Sequence, residues 1–295
     1  MKNFSKFIYP FIFIGPAVIV LLVFSIIPIM IAFGISLTDM DLIGLADWST
    51  ISFAGLENYK ELFTDERFIK SIYNTLFYAV VGVPLVIIFS LGVALLLNYG
   101  TSKLFSFFRM VYFMPTITNI VAIAVIWGYL YNTDYGLFNY ILSLVNIDEV
   151  PWLDESLMAK ISLVILAVWK GIGINMIIFL AALQGIPRMY YEAAEIDGAT
   201  RWQQLLHITI PMLRYATFFV TVTTIIAWLQ FFEEPFVMTN GGPSDGTLSM
   251  ALFIYQKGFQ SNDFGYAGAA SVVLFLIIII VTLAQFKLRK SEDNY

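Results

Sequence analysis

The sequence has no cysteine and only one histidine, His207, which excludes disulfides, thiolate metal sites and histidine clusters and leaves no mark of a redox compartment. Charge is scarce too. Only 13% of the residues are Asp, Glu, Lys or Arg, against about 25% in soluble domains. The formal net charge of -5 gives no support to nucleic-acid binding, which needs clustered Lys and Arg. A phosphate loop of the form G-x-x-x-x-G-K-[ST] is missing, so the chain lacks that device for hydrolysing ATP. There is also no nucleophile motif, zinc signature or Gly-rich dinucleotide turn, so no catalytic or metal-binding residue is expected. Neither a repeat of about 20 to 50 residues nor a low-complexity tract is visible.

What is present is apolar. Hydrophobic residues make up 59% of the 295, with 27 Phe, 16 Tyr and 6 Trp. A water-soluble fold of this size has no way to hide that much apolar surface, whereas Trp and Tyr suit the boundary between lipid and water. Apolar runs of about 20 residues or more, nearly free of charge and long enough for a helix crossing the hydrocarbon core, occur six times: over 8–37, 72–97, 110–131, 161–183, 212–232 and 265–286. Lys2 and Lys6 precede the first run, but its length exceeds the roughly 7 to 15 residues of a signal-peptide core, so it reads as a retained helix. Gly15, Pro16, Pro28, Gly82, Pro84, Pro115, Gly171 and Gly173 fall inside the runs, where membrane helices tolerate them and kinks are expected. The expected fold is all-α, a polytopic membrane protein of six transmembrane helices forming one domain over 1–295.

The basic residues set an orientation. Lys2, Lys6, Lys103, Arg109, Arg188, Arg201, Arg214, Lys287, Arg289 and Lys290 lie on the side of the N-terminus; Lys60, Arg67, Lys70, Lys160 and Lys257 lie opposite. Basic residues gather on the cytoplasmic side of membrane proteins, which places both termini there. Of the 21 acidic residues, 16 fall in the three outer loops.

The inner stretch 184–211 carries the most specific pattern. It opens on a turn at Gly185 to Pro187, continues through Tyr191, Ala194 and Ile196 to a break at Gly198, and then places Trp202, Leu205 and Leu206 at helical spacing before Pro211. Two short amphipathic helices bent at Gly198 follow from that spacing. Periodicity alone fits equally an interfacial helix lying on the bilayer. The residues themselves, Glu192-Ala193-Ala194, then Gly198 after three positions and Ile208 to Pro211 after nine more, resemble the signature of the permeases of binding-protein-dependent ATP-binding-cassette (ABC) importers, with Ile210 where that pattern has Leu. The resemblance implies that Glu192, Ala193, Ala194, Asp197 and Gly198 form a coupling helix seated in a groove of a partner ATPase. That partner, rather than this chain, would bind ATP and magnesium.

Further stretches, Met238-Thr-Asn-Gly-Gly-Pro-Ser onward, Gly265-Tyr-Ala-Gly-Ala-Ala-Ser onward and the opening from Pro10 to Ile35, look like those of carbohydrate-uptake permeases of the maltose, raffinose and glycerol-phosphate type. This likeness implies a sugar or sugar-phosphate solute, a second homologous permease, two ATPase subunits and an extracytoplasmic solute-binding protein, with alternating access as the mechanism. Read bottom-up, Asn240 to Pro243 is simply a turn. An ion-coupled secondary carrier is the rival class. It is expected to show charges or unwound segments at mid-membrane and inverted repeats, whereas Lys170 is the one obvious charge inside the six runs, Arg214 lying at the inner end of the fifth.

A solute path is expected along the fourth and fifth runs. Thr224, Trp228 and Phe231 fall at i, i+4 and i+7, one helical face, followed by Glu233 and Glu234, while Lys170, Gly171 and Asn175 share a comparable arc. An ammonium is costly in lipid, so Lys170 should face the interior and pair with Glu233 or Glu234. Sugar sites combine aromatic faces with a few fixed polar groups, although Trp228 and Phe231 serve equally well as packing aromatics.

Overall fold

In the computed structural model, residues 2–100 and 102–292 are described, with side chains over 12–100 and 102–289; Lys2, Lys6 and Lys290 of the charge tally lie outside the described side chains. The protein is helical throughout, and among the described residues β-pairing is limited to two isolated bridges. Five segments are long and apolar enough to cross a bilayer, and a bent helix pair makes a sixth if counted as one span.

The first segment comprises α1 (Lys2–Leu21), a π-helical turn at Leu22–Ile26 and α2 (Ile27–Ile35). Pro28 lies in the first turn of α2, where its missing N–H costs nothing within the new helix. The second is α3 (Glu66–Asn98), which starts several residues before the run 72–97 because Asp65 Oδ1 accepts from the backbone N–H of Arg67 at 2.8 Å and of Phe68 at 3.3 Å.

The third run, 110–131, is not one straight helix. Lysine 103 opens α4 (Lys103–Ile117), and α5 (Ile120–Leu130) follows at a bend of 100°. Pro115 lies in the last turn of α4; Thr118 and Asn119 are then extended, and Asn119 Oδ1 accepts from Val121 N at 2.8 Å. That bond satisfies an otherwise orphaned donor and starts a new helix in a new direction. The short α6 (Leu137–Leu144) leads to α7 (Ser156–Gln184), the most deeply buried of the long helices.

Beyond α7 come α8 (Arg188–Ile196) and α9 (Arg201–Gln204), then α10 (Arg214–Leu229). The fifth run was expected to stay helical to 232. Instead Gln230 adopts φ -97°, ψ 21°, Phe232 is non-helical, and α11 (Glu233–Met238) begins afresh. The last long helix is α12 (Phe264–Glu292).

The chain divides into two compact units. Met1–Ile69 with Phe253–Ile277 form one. Inside it Tyr266 Oη donates to Asp65 Oδ2 at 3.0 Å, Gly265 N donates to Met40 O at 2.8 Å, and Lys257 Nζ lies 4.8 Å above the Tyr266 ring. Lys70–Leu252 with Ile278–Tyr295 form the other, which contains the candidate site. Its core has two apolar clusters, one around Tyr78, Val86, Leu163, Val168, Trp228 and Phe231, the other around Leu97, Met176, Phe179, Leu183, Leu213 and Val220. In both, α3, α7 and α10 meet. Helix α4 reaches α7 at Gly173, where an added Cβ would stand 2.5 Å from Tyr112 O and Thr116 Oγ1. Close approach of two membrane helices depends on such small residues.

Candidate functional site

A cavity of about 490 Å3 opens beside α7, α10 and the break between α10 and α11. Lys170 of α7 supplies its one ammonium. Nζ is 2.8 Å from Glu233 Oε2 and 3.3 Å from Glu234 Oε1, and the side chains are 20%, 58% and 8% exposed for Lys170, Glu233 and Glu234. The expected pairing is therefore present, and with both carboxylates. An ammonium and a carboxylate withdrawn this far from water persist only as mutual partners. Both glutamates occupy the first turn of α11, where free backbone N–H groups also favour negative charge. The break creates that first turn.

Of the residues expected along a solute path, Lys170, Gly171, Trp228, Phe231 and Glu233 line the cavity. Asn175 does not; it is buried and its Nδ2 donates to Gly171 O at 2.9 Å, on its own helix. Thr224 is also buried, one turn behind Trp228 on α10. Thr224 and Trp228 lie at i and i+4 on one face of α10, whereas Phe231 lies past the last residue of that helix. Phe231 nevertheless stacks on Trp228, with ring centroids 5.2 Å apart and planes 12° from parallel, and meets Tyr78 at 4.8 Å. Both rings are only 6% exposed. They belong mainly to the core and offer the cavity little of their surface. Gly82 of α3 lies so close to Trp228 that an added Cβ would overlap the indole.

Sequence reasoning missed Thr116, Gln230 and Phe232 in the lining. Thr116 Oγ1 donates to Lys170 O at 3.0 Å and so ties the end of α4 to the charged site. Gln230 is exposed to the cavity because the helix ends there. For Thr116 and Gln230 the available signal was a polar residue inside an apolar run, the one following Pro115 and the other three residues before the acidic pair.

The stretch 184–211 folds as two short helices about Gly198, whose φ is 76°. Gly198 N donates to Glu195 O at 3.1 Å and Ala199 N to Ala194 O at 2.8 Å, a paired closure of α8 that needs a left-handed residue and favours glycine. Thr200 then caps α9 reciprocally with Gln203. Inside the bend, Tyr191 Oη and Thr209 Oγ1 share a hydrogen bond of 3.0 Å. Glu192, Ala193, Asp197 and Gly198 are exposed and Ala194 is half-buried. Large apolar side chains are exposed beside them, with Met189 at 67%, Ile196 at 87% and Trp202 at 66%. Ile196, the last residue of α8, is exposed where the helix closes, whereas Tyr191 and Ala194 are half-buried.

Residues 62–290 match the family model described as binding-protein-dependent transport system inner membrane component. The chain is 34% identical to the lactose transport system permease protein LacF of Rhizobium radiobacter, over 93% of this chain and 92% of the relative. It is 31% identical to the sn-glycerol-3-phosphate transport system permease protein UgpA of Pectobacterium atrosepticum, over 97% and 95%. In fold it is similar to a chain of a bacterial alginate ABC transporter crystallised with an alginate pentasaccharide-bound periplasmic protein, with a TM-score of 0.81 over 96% of this chain and 94% of that one, at 24% identity.

Proposed function

Because the chain belongs to the binding-protein-dependent transport system inner membrane components, we propose that it is the permease subunit of an ABC importer that carries a sugar across the cell membrane. The observation that carries this reading is the bent segment about Gly198, whose two capped helices hold an exposed apolar and acidic surface together. An ATPase groove is the partner such a surface suits. Glu192, Ala193, Ala194, Asp197 and Gly198 make the contact, and closure of two ATP- and magnesium-binding subunits moves the membrane helices through it.

A second, homologous permease completes the path, and an extracytoplasmic binding protein delivers the solute. The five long apolar segments and the bent pair together act as six spans, with both termini and the Gly198 bend in the cytoplasm. Lys170, Gly171, Trp228, Phe231 and Glu233 form this chain's share of the solute path, while Asn175 and Thr224 support it from behind. The cavity supports that assignment through its size and its mixture of aromatic edges with a few polar groups. The names of the relatives support a sugar, with lactose and glycerol 3-phosphate as the neutral and anionic alternatives.

The test is isolation of the tagged chain from its native membrane. A soluble ATPase should co-purify, and ATP hydrolysis by the complex should rise when the cognate binding protein and its solute are added. A chain that purifies free of any ATPase, yet supports uptake driven by an ion gradient, would overturn the proposal in favour of a secondary carrier.

A further inference from the structure

The polar groups that line the cavity decide more than its location. Lys170 is the one cation among the described lining residues, and both glutamates already hold it, at 2.8 and 3.3 Å. Among the described residues no second Lys, Arg or His lines the space. Left open to a solute are the Glu233 carboxylate, more than half exposed, and the exposed Gln230 amide, set among Ala227, Ile174 and the edges of Trp228 and Phe231. A carboxylate accepts hydrogen bonds from hydroxyl groups, and such charge-assisted bonds are stronger than neutral ones. It repels another anion, and that repulsion grows where apolar walls exclude water.

Resting on the reading of the chain as a sugar-importer permease, we propose that Glu233, with Lys170 held by its two carboxylates, makes this wall select uncharged polyhydroxylated saccharides and reject anionic ones bearing phosphate, uronate or sulfonate. Selection here works as much by repulsion as by attraction. Freeing Lys170 for an anionic solute would leave Glu234, 8% exposed, as an uncompensated buried carboxylate. The wall therefore differs in kind from one that presents an unpaired cation.

Cells carrying the complete transport system and no other sugar importer should be fed mixed neutral and uronate-bearing oligosaccharides together with glycerol 3-phosphate, and their contents identified by mass spectrometry. Neutral saccharides should accumulate. Accumulation of an anionic species instead overturns the selectivity while leaving the importer reading intact; accumulation of neither class by a correctly assembled complex overturns the sugar-importer reading and this proposal with it. Equilibrium dialysis of the assembled membrane complex, without binding protein, then compares the accumulated sugar with the same sugar oxidised to a uronate at its primary alcohol. The neutral form should bind at least about tenfold more tightly, and in Glu233→Gln the ratio should fall towards one. A ratio unchanged in Glu233→Gln, or a preference for the uronate, overturns the assignment.

Discussion

At the scale of single residues, the ion pair at Lys170 is the most consequential feature. Removing one member of a buried pair typically costs about 3–5 kcal/mol, because the partner is left charged and unsolvated. Lys170→Met should therefore lower the thermal stability of the purified complex, and Lys170→Met with Glu234→Gln should regain most of the loss, since Glu233 is exposed enough to be solvated alone. Equal melting temperatures for the single and double variants would show that the pair is not what holds these side chains. Sequence gave the pairing directly, since one ammonium in an apolar run must find a carboxylate and the acidic pair lay at the end of the next run. Sequence did not separate lining from packing for Trp228 and Phe231, which are only 6% exposed. Residue type says that an aromatic prefers an apolar setting; which edge it turns to a cavity depends on neighbours that are remote in the chain.

At the scale of helices, long apolar runs made most of the spans legible, whereas their interruptions were not. The bend between α4 and α5 and the break before α11 depend on which backbone groups find partners, and hydropathy does not record that. Asn119, as a cap, and Gln230, as a terminus, are the residues that mark them. The bend at Gly198 was legible because glycine there has a conformational reason. Its φ of 76° costs an ordinary L-residue roughly 1–2 kcal/mol, and nothing within 4 Å would block a side chain. A loss at this position is thus a backbone effect. Gly198→Asn should retain much of the ATP-driven uptake while Gly198→Val abolishes it, with the membrane helices still folded by circular dichroism. If both variants transported at the parental rate, the bend would not be part of the coupling path. Apolar character alone did not say which way Ile196 faces; the helix closure leaves it exposed.

At the scale of the whole molecule, the lack of cysteine makes the proposed orientation simple to check. Cysteines introduced at the exposed positions Gln203 and Tyr140 should react from opposite sides of an intact cell membrane, Gln203→Cys only after permeabilisation and Tyr140→Cys without it. Labelling of Gln203→Cys from outside would invert the topology. The six apolar runs and the proposed orientation were read from composition and charge, which a bilayer constrains tightly, and the proposed coupling role from a resemblance of the residues about Gly198. The cavity came from tertiary packing, which it does not. One position outside the cavity lining bears on it through Trp228. Gly82 lies against the Trp228 indole with no room for a methyl group, and Trp228 lines the cavity. Gly82→Ala would act as a shim, displacing the indole from α3 and reshaping the aperture without replacing any lining residue. Uptake of a trisaccharide should then fall more than uptake of the corresponding monosaccharide, and an equal loss for both would mean that chain length is gauged elsewhere.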